Sequence, residues 1–254
     1  MDHFLIESVL HNDNCFRILD YGCGNAQFVV SMTKAGFDVV GVDIDPEYVR
    51  LAKSYCETMG VDPDRIVLVS EKSLPFADTS FDCIYSNTVL EHVIDVTSYL
   101  SECQRLLKPD GFFLATVPPR FSFTEGHIPL PLAHWLPSGG LRRWYIRTFA
   151  PRGLHELGSV CIGEFFDNYI SRLNYMTVSA WKSVIRHYFG EVHDVSSEKK
   201  LFQALRLDTF KGRIFLRISR MPLIGSIFLW VVKQATTINL LARKPFSPRL
   251  REAQ

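Results

Sequence analysis

The sequence predicts an α/β fold: a doubly wound, mostly parallel sheet of seven strands with a helical insertion or cap after the fifth strand. Three observations carry this. Residues 16–118 alternate short β-branched or aromatic runs with longer amphipathic ones, as parallel strands and their crossover helices do. After Pro118 the alternation gives way to a proline-rich stretch and aromatic helical segments. Two further strand-like runs then close the chain.

In order, FRILDY (16–21), FDVVGV (37–42), RIVLV (65–69), FDCIYS (81–86) and FFLATV (112–117) read as the first five strands. AQFVVSMTKA, PEYVRLAKSYCETM and VTSYLSECQRLL, with apolar positions three and four apart, read as helices between them. Residues 119–140 read as loop and 164–189 as helical stretches ending in SAWKSVIRHYFG. EVHDVS (191–196) and TTINLLARKP (236–245) supply the last two strands, around a helical segment at 199–233 that breaks near Met221-Pro222. A parallel sheet of this kind binds its ligand at the carboxyl ends of the strands.

The chain has 254 residues, 47% of them hydrophobic, enough for one large core, and no internal repeat or low-complexity linker divides it. Its six cysteines are scattered, with no CxxC pair and no histidines at zinc spacing, so reduced thiols are expected and no metal site. MDHFLIESVLHNDN lacks a basic segment followed by an apolar run, so no secretory leader is expected and the reading is cytoplasmic. The net charge of +1 conceals a division: residues 1–198 carry −9 and residues 199–254 carry +10. Such a basic region suggests an anionic partner, a membrane surface among them; mutual neutralisation of the two ends is the alternative. MPLIGSIFLWVV (221–232) is too short to span a bilayer and reads either as a core helix or as an interfacial one.

The sharpest local signal is ILDYGCGNAQF (18–28): a strand ending at Asp20, then a turn carrying Gly22 and Gly24. Glycines there let backbone approach a ligand and adopt dihedrals closed to other residues. A dinucleotide frame would need glycine at position 27, which is Gln27, and Asp20 would repel a pyrophosphate. A ligand bearing an amine and a sulfonium suits that acid better. About twenty residues on, Asp43 closes the second strand, where a carboxylate accepts hydrogen bonds from ribose hydroxyls. Asp45-Pro46 then reads as the N-cap and first residue of the next helix.

ILDYGCGNA, GVDIDPEYV, SLPFADTSFDCIYSNTVLEHV and LSECQRLLKPDGFFLATVP resemble, in order and spacing, the motifs of class I S-adenosylmethionine-dependent methyltransferases, in the large subgroup typified by quinone-biosynthesis and related small-molecule enzymes. The resemblance covers roughly residues 15–118 and implies a Rossmann-like sheet in a single domain over 1–254. It implies a cofactor-binding half at 15–118, an acceptor-side loop and helices at 119–190, and last strands with a basic helical insertion at 191–254. By the same resemblance, Asp20, Gly22 and Gly24 hold the methionine end of S-adenosylmethionine and Asp43 its ribose. Ile44 packs on adenine, Ser70 or Glu71 binds the adenine amine, and Asn87 borders the methionine moiety. Ala26 and Asp110 stand where the family usually has glycine.

The acceptor must be met by segments after the fourth and fifth strands. The Asn/Asp/Ser-Pro-Pro-aromatic turn of amide or adenine N-methylation is missing after the fourth, and Glu91 and His92 there read as packing residues. After the fifth comes FTEGHIPLPLAHWLP (123–137), a stiff proline-rich run at the ligand edge. Glu125 and His127, two apart, face one cleft if extended, and a carboxylate neighbour keeps imidazole basic enough to take a hydroxyl proton. His134-Trp135 reads as packing or as a platform for a sugar face, and ExH…HWLP also resembles methyltransferases of polysaccharide and glycolipid gene sets.

Three functional readings follow. The first is O-methylation of a sugar or lipid-linked envelope intermediate, at the inner face of the membrane through residues 199–254. The second is a soluble methyltransferase of a quinone or phenol. The third is a non-catalytic cofactor-binding protein acting on RNA or a protein partner. It ranks last, because no aromatic–basic interleaving marks a nucleic-acid platform.

Overall fold

The computed structural model describes residues 16–70, 74–118, 120, 130–150, 162–196 and 238–245. Its strands are β1 (Arg17–Tyr21), β2 (Asp38–Asp43), β3 (Ile66–Leu68), β4 (Phe81–Asn87), β5 (Leu107–Val117), β6 (Val192–Asp194) and β7 (Ile238–Arg243). They form one sheet in the order β3-β2-β1-β4-β5-β7-β6. The first five are parallel; β7 runs antiparallel between β5 and β6. This is the seven-stranded, mostly parallel sheet that the sequence predicts.

Each helix starts where local chemistry allows. α1 (Gln27–Lys34) follows the glycine turn, and α2 (Pro46–Thr58) is capped by Asp45, whose carboxylate accepts from the amides of Glu47 and Tyr48. α3 (Val96–Leu106) begins at Asp95, which accepts from Ser98 N. Beyond the sheet's parallel half come α4 (Gly140–Phe149), α5 (Ile162–Arg172) and α6 (Val178–Phe189). α4 lies in a stretch to which the sequence reading assigned no element. The helical segment read at 199–233 lies outside the described residues.

Two cores cover the sheet's faces. On one side Trp181, Ile185 and Phe189 of α6 pack with Leu100 and Cys103 of α3 against Phe113 and Leu240, and the Phe113 and Phe189 rings stack 5.1 Å apart. On the other, Val29 and Met32 of α1 and Ala52 and Cys56 of α2 pack on Ile18, Val39 and Ile66. Gly41 lets α1 and the glycine turn come close, since a Cβ there would meet Val29 Cγ2 at 2.8 Å and Cys23 Cβ at 2.9 Å.

A third, smaller core of Leu130, Ala133, Ile146, Ala150, Phe166 and Ile170 belongs to a cap built from residues 130–150 and α5. At its centre Asp167, with a side chain 1% exposed, takes Arg142 at 3.3 Å and Arg143 at 3.0 Å, plus the amide of Gly139. Arg142 also donates twice to the carbonyl of Leu136. Because a buried ion pair is tolerated only with its remaining donors and acceptors satisfied, this network fixes how α4 lies on α5. Gly163 lets the two helices touch: a Cβ would meet Arg143 O at 2.8 Å.

The two departures from glycine both fall at left-handed backbone positions, Ala26 at φ 58° and Asp110 at φ 63°. Such a conformation disfavours any side chain, which is why glycine is usual there. Replacing exposed Asp110 by glycine is expected to raise the unfolding free energy by about 0.5–1 kcal/mol, read as a higher urea midpoint at unchanged slope. Gly111→Ala should do the reverse, because its Cβ would meet Lys108 O at 2.9 Å and Asp82 O at 3.0 Å, both backbone.

Candidate functional site

A cleft of about 410 Å³ opens at the carboxyl ends of β1 and β4, lined by Asp20, Gly22, Cys23, Asn25, Gln27, Phe28, Tyr85 and Asn87. That volume lies in the range of small-molecule sites. The strand register brings its parts together: Asp20 lies opposite Tyr85 across the β1–β4 pair, and Asn87 ends β4. The chain leaves β1 through Gly22, at φ 87°, with the amides of Gly22 and Cys23 both donating to Val42 O. Gly22 has no room for a side chain, because a Cβ would lie 2.4 Å from Val89 Cγ2. Gly24, at φ 50°, has nothing within 4 Å of the same point, so there the bare backbone faces open space.

Two carboxylates bracket this turn. Asp43 is pre-oriented: Oδ2 accepts from Gly24 N at 2.9 Å and Oδ1 from Asp45 N at 3.0 Å. Each oxygen keeps a lone pair for one further donor. Asp20 is 3% exposed. Burial, and then the negative charge of Asp43, push its carboxyl up to about 8. The neighbouring Cys23 thiol is pushed up too, by burial and then by Asp20 and Asp43. A cavity that resists its own negative charge in this way favours a cation placed beside Asp20.

The residues expected on the adenine side, Ser70 and Ile44, lie just past the next strand ends. Val69 N donates to Asp43 O at 3.0 Å, which sets Ser70 beside the β2 end, where Ile44 is 53% exposed. Neither Ser70 nor Ile44 lines the cleft itself. Glu71, Glu125 and His127 lie outside the described residues, as does most of the basic region 199–254. His134 is half-buried in a short 3-10 turn of the cap, its ring 5.2 Å from that of Tyr175, which is a packing arrangement. Glu91 is buried as well.

Sequence reasoning missed Phe28, Tyr85 and Tyr99. Phe28 and Tyr85 stack with centroids 4.1 Å apart on the cleft wall. Tyr99 stacks on Tyr21 and shares its one hydroxyl hydrogen between Ser86 Oγ at 2.9 Å and Tyr21 O at 3.3 Å, bracing β1 and β4. The available signal was the strand period: Tyr85 stands two residues before Asn87 and so shares its face.

Residues 19–115 match the family model described as a methyltransferase domain. Ubiquinone biosynthesis O-methyltransferases of Cereibacter sphaeroides and Xanthomonas oryzae are each 34% identical, over 126 and 141 residues. These alignments cover 48% and 55% of this chain and 51% and 54% of those proteins. The chain thus spans about half the length of the curated relatives it matches. Among solved structures, the YcgJ protein of Bacillus subtilis superposes with a TM-score of 0.55 at 17% identity, covering 96% of this chain and 97% of that one. That likeness is one of fold.

Proposed function

We propose that this chain, whose residues 19–115 form a class I S-adenosylmethionine-dependent methyltransferase domain, transfers a methyl group to a hydroxyl of a small quinone- or phenol-type acceptor. The observation that carries the transferase reading is the pair of acids, Asp20 and Asp43, at the carboxyl ends of adjacent strands around a glycine turn. The names of the relatives, ubiquinone O-methyltransferases, support the aromatic acceptor over a sugar or lipid-linked one. The envelope and membrane-surface readings rest on residues 125–134 and 199–254, of which only 130–134 and 238–245 are described. No helix among the described residues is long and apolar enough to cross a membrane.

The residues fit the cofactor. S-adenosylmethionine, when bound, supplies a methyl group made electrophilic by a sulfonium. Asp20 receives the cationic methionine end, and Gly22 and Gly24 leave the backbone bare beside it. Asp43 accepts from the ribose hydroxyls with the lone pairs that Gly24 N and Asp45 N leave free. Ile44 offers an apolar surface to adenine, Ser70 or Glu71 a polar group to its amine, and Asn87 the border toward the acceptor. The cap aligns the acceptor and keeps water from the reacting atoms. Glu125 and His127 are the candidates for taking the hydroxyl proton.

A phenol, with a pKa near 10, needs little help in losing that proton. His127→Ala is therefore expected to lower turnover on a phenolic acceptor less than about threefold. A drop of about a hundredfold or more would mark general-base catalysis on a less acidic hydroxyl. The deciding experiment incubates the protein with methyl-labelled cofactor and separate catechol, quinol, glycan and lipid fractions. Label on oxygen in the aromatic fractions is expected. Label confined to glycan-lipid, or no formation of S-adenosylhomocysteine, overturns the reading.

A further inference from the structure

The cap and the cofactor cleft touch the same short segment, residues 87–93, and one residue holds it from the cap side. Asn174 lies just past α5. Its side-chain Nδ2 donates to Val93 O at 2.6 Å and Leu90 O at 3.2 Å, and its own amide donates to Glu91 O at 2.8 Å. Three carbonyls within four residues are thus satisfied by a single partner. The segment itself is irregular: Thr88 sits at φ 56°, and the turn closes through His92 N to Val89 O at 2.8 Å. Its other side is the cleft. Asn87 lines the cavity, and the Val89 side chain occupies the space that a side chain on Gly22 would need.

We propose that Asn174 is a positioning residue: by gripping the carbonyls of Leu90, Glu91 and Val93 from the cap, it sets Val89 against the glycine turn and Asn87 at the cleft. Cap position and cofactor affinity are thereby coupled, since displacing the segment removes Val89 from Gly22. The coupling runs both ways, because an effect of the cap on cofactor binding implies an equal effect of cofactor on the cap. The inference rests on the cleft being the cofactor site.

The test is calorimetric binding of S-adenosylhomocysteine to wild type, Asn174→Ala, Asn174→Asp and, as a control within the cap, Tyr145→Phe, which removes only the bond from Tyr145 OH to Pro131 O. Asn174→Ala should weaken binding about tenfold, the loss expected from its two part-buried side-chain hydrogen bonds, and Tyr145→Phe less than about twofold. Asn174→Asp should weaken it more at pH 8, where a carboxylate faces carbonyl oxygens. Its deficit relative to wild type should shrink toward pH 5, as the protonated acid regains a donor. Equal affinities across folded variants, or an equal loss in Tyr145→Phe, overturn the proposal while leaving the cofactor site standing. A wild-type protein that binds no S-adenosylhomocysteine overturns the site as well. Should the variants not fold, hydrogen exchange on wild type decides. Added S-adenosylhomocysteine should slow the amides of residues 90–93 and 174, and protection limited to 20–28 and 43–45 refutes the coupling.

Discussion

Asp20→Asn is expected to weaken cofactor binding about a hundredfold while making the ligand-free protein harder to unfold in alkaline solution. The carboxyl of Asp20 is buried and lies near Asp43, so its folded-state value of about 8 stands well above the ordinary 3.8. An acid shifted upward binds its proton more tightly folded than unfolded. Stability contributed by that proton is therefore complete below about pH 4 and falls as pH rises through about 8. Asparagine keeps the shape and removes the charge, so at pH 9 the variant should gain on the order of 2–3 kcal/mol. The same charge draws the cofactor's ammonium group, and without it affinity should fall about a hundredfold, the value of one charge-assisted hydrogen bond. Wild-type binding should release a proton below pH 8 and tighten as pH rises from 6 to 8. Melting curves between pH 5 and 9, with calorimetry in buffers of differing ionisation enthalpy, check both halves. Parallel melting profiles for the two proteins would count against the buried charge.

Asp167→Ala is the second large effect. It removes the acceptor shared by Arg142, Arg143 and Gly139 N, and leaves the guanidinium of Arg142 buried without its counter-ion. Removing one member of such a pair typically destabilises by about 3–5 kcal/mol. The loss should fall on the cap, which has its own small core, before the sheet. Hydrogen exchange should show α4 and α5 unprotected while β1, β4 and β5 keep their protection. Asp167→Asn, which can still accept from Gly139 N, should lie between wild type and alanine. Arg142→Met combined with Asp167→Leu should recover most of the loss, because apolar side chains of similar volume carry no desolvation cost. Global unfolding of the sheet at the same denaturant concentration as the cap would show that the two are one cooperative unit.

The parallel half of the fold was legible because its signals are local. Strand period, the glycine turn and the Asp45-Pro46 cap each act within a few residues, so sequence order alone predicts where Asp20 and Asp43 end their strands. A helical insertion after the fifth strand was legible too, but its first helix, α4, was not, for the opposite reason. LRRWYIRTF carries three arginines, and nothing in its spacing says that Arg142 is buried on an acid 25 positions later. Ala26 and Asp110 stand where the family usually has glycine, and their positive φ values make them places where the chain carries local strain. Ser70 and Ile44 lie just past the ends of β3 and β2 and, like Gly24 and Asp43, flank the cleft beside Asp20 without lining it.

The place of β7 in the sheet has a consequence for how the protein is made. β5 spans Leu107–Val117, and its antiparallel neighbour begins only at Ile238. Until the ribosome has released residues 238–245, β5 presents an unpaired hydrophobic edge, and Gln104 O and Leu107 O at the end of α3 lack Lys244 Nζ, which later caps both. At about 5–20 residues per second that exposure lasts several seconds or more. A nascent chain stalled within this window would hold a nearly complete cofactor half beside an open strand, the form most prone to pair with another chain.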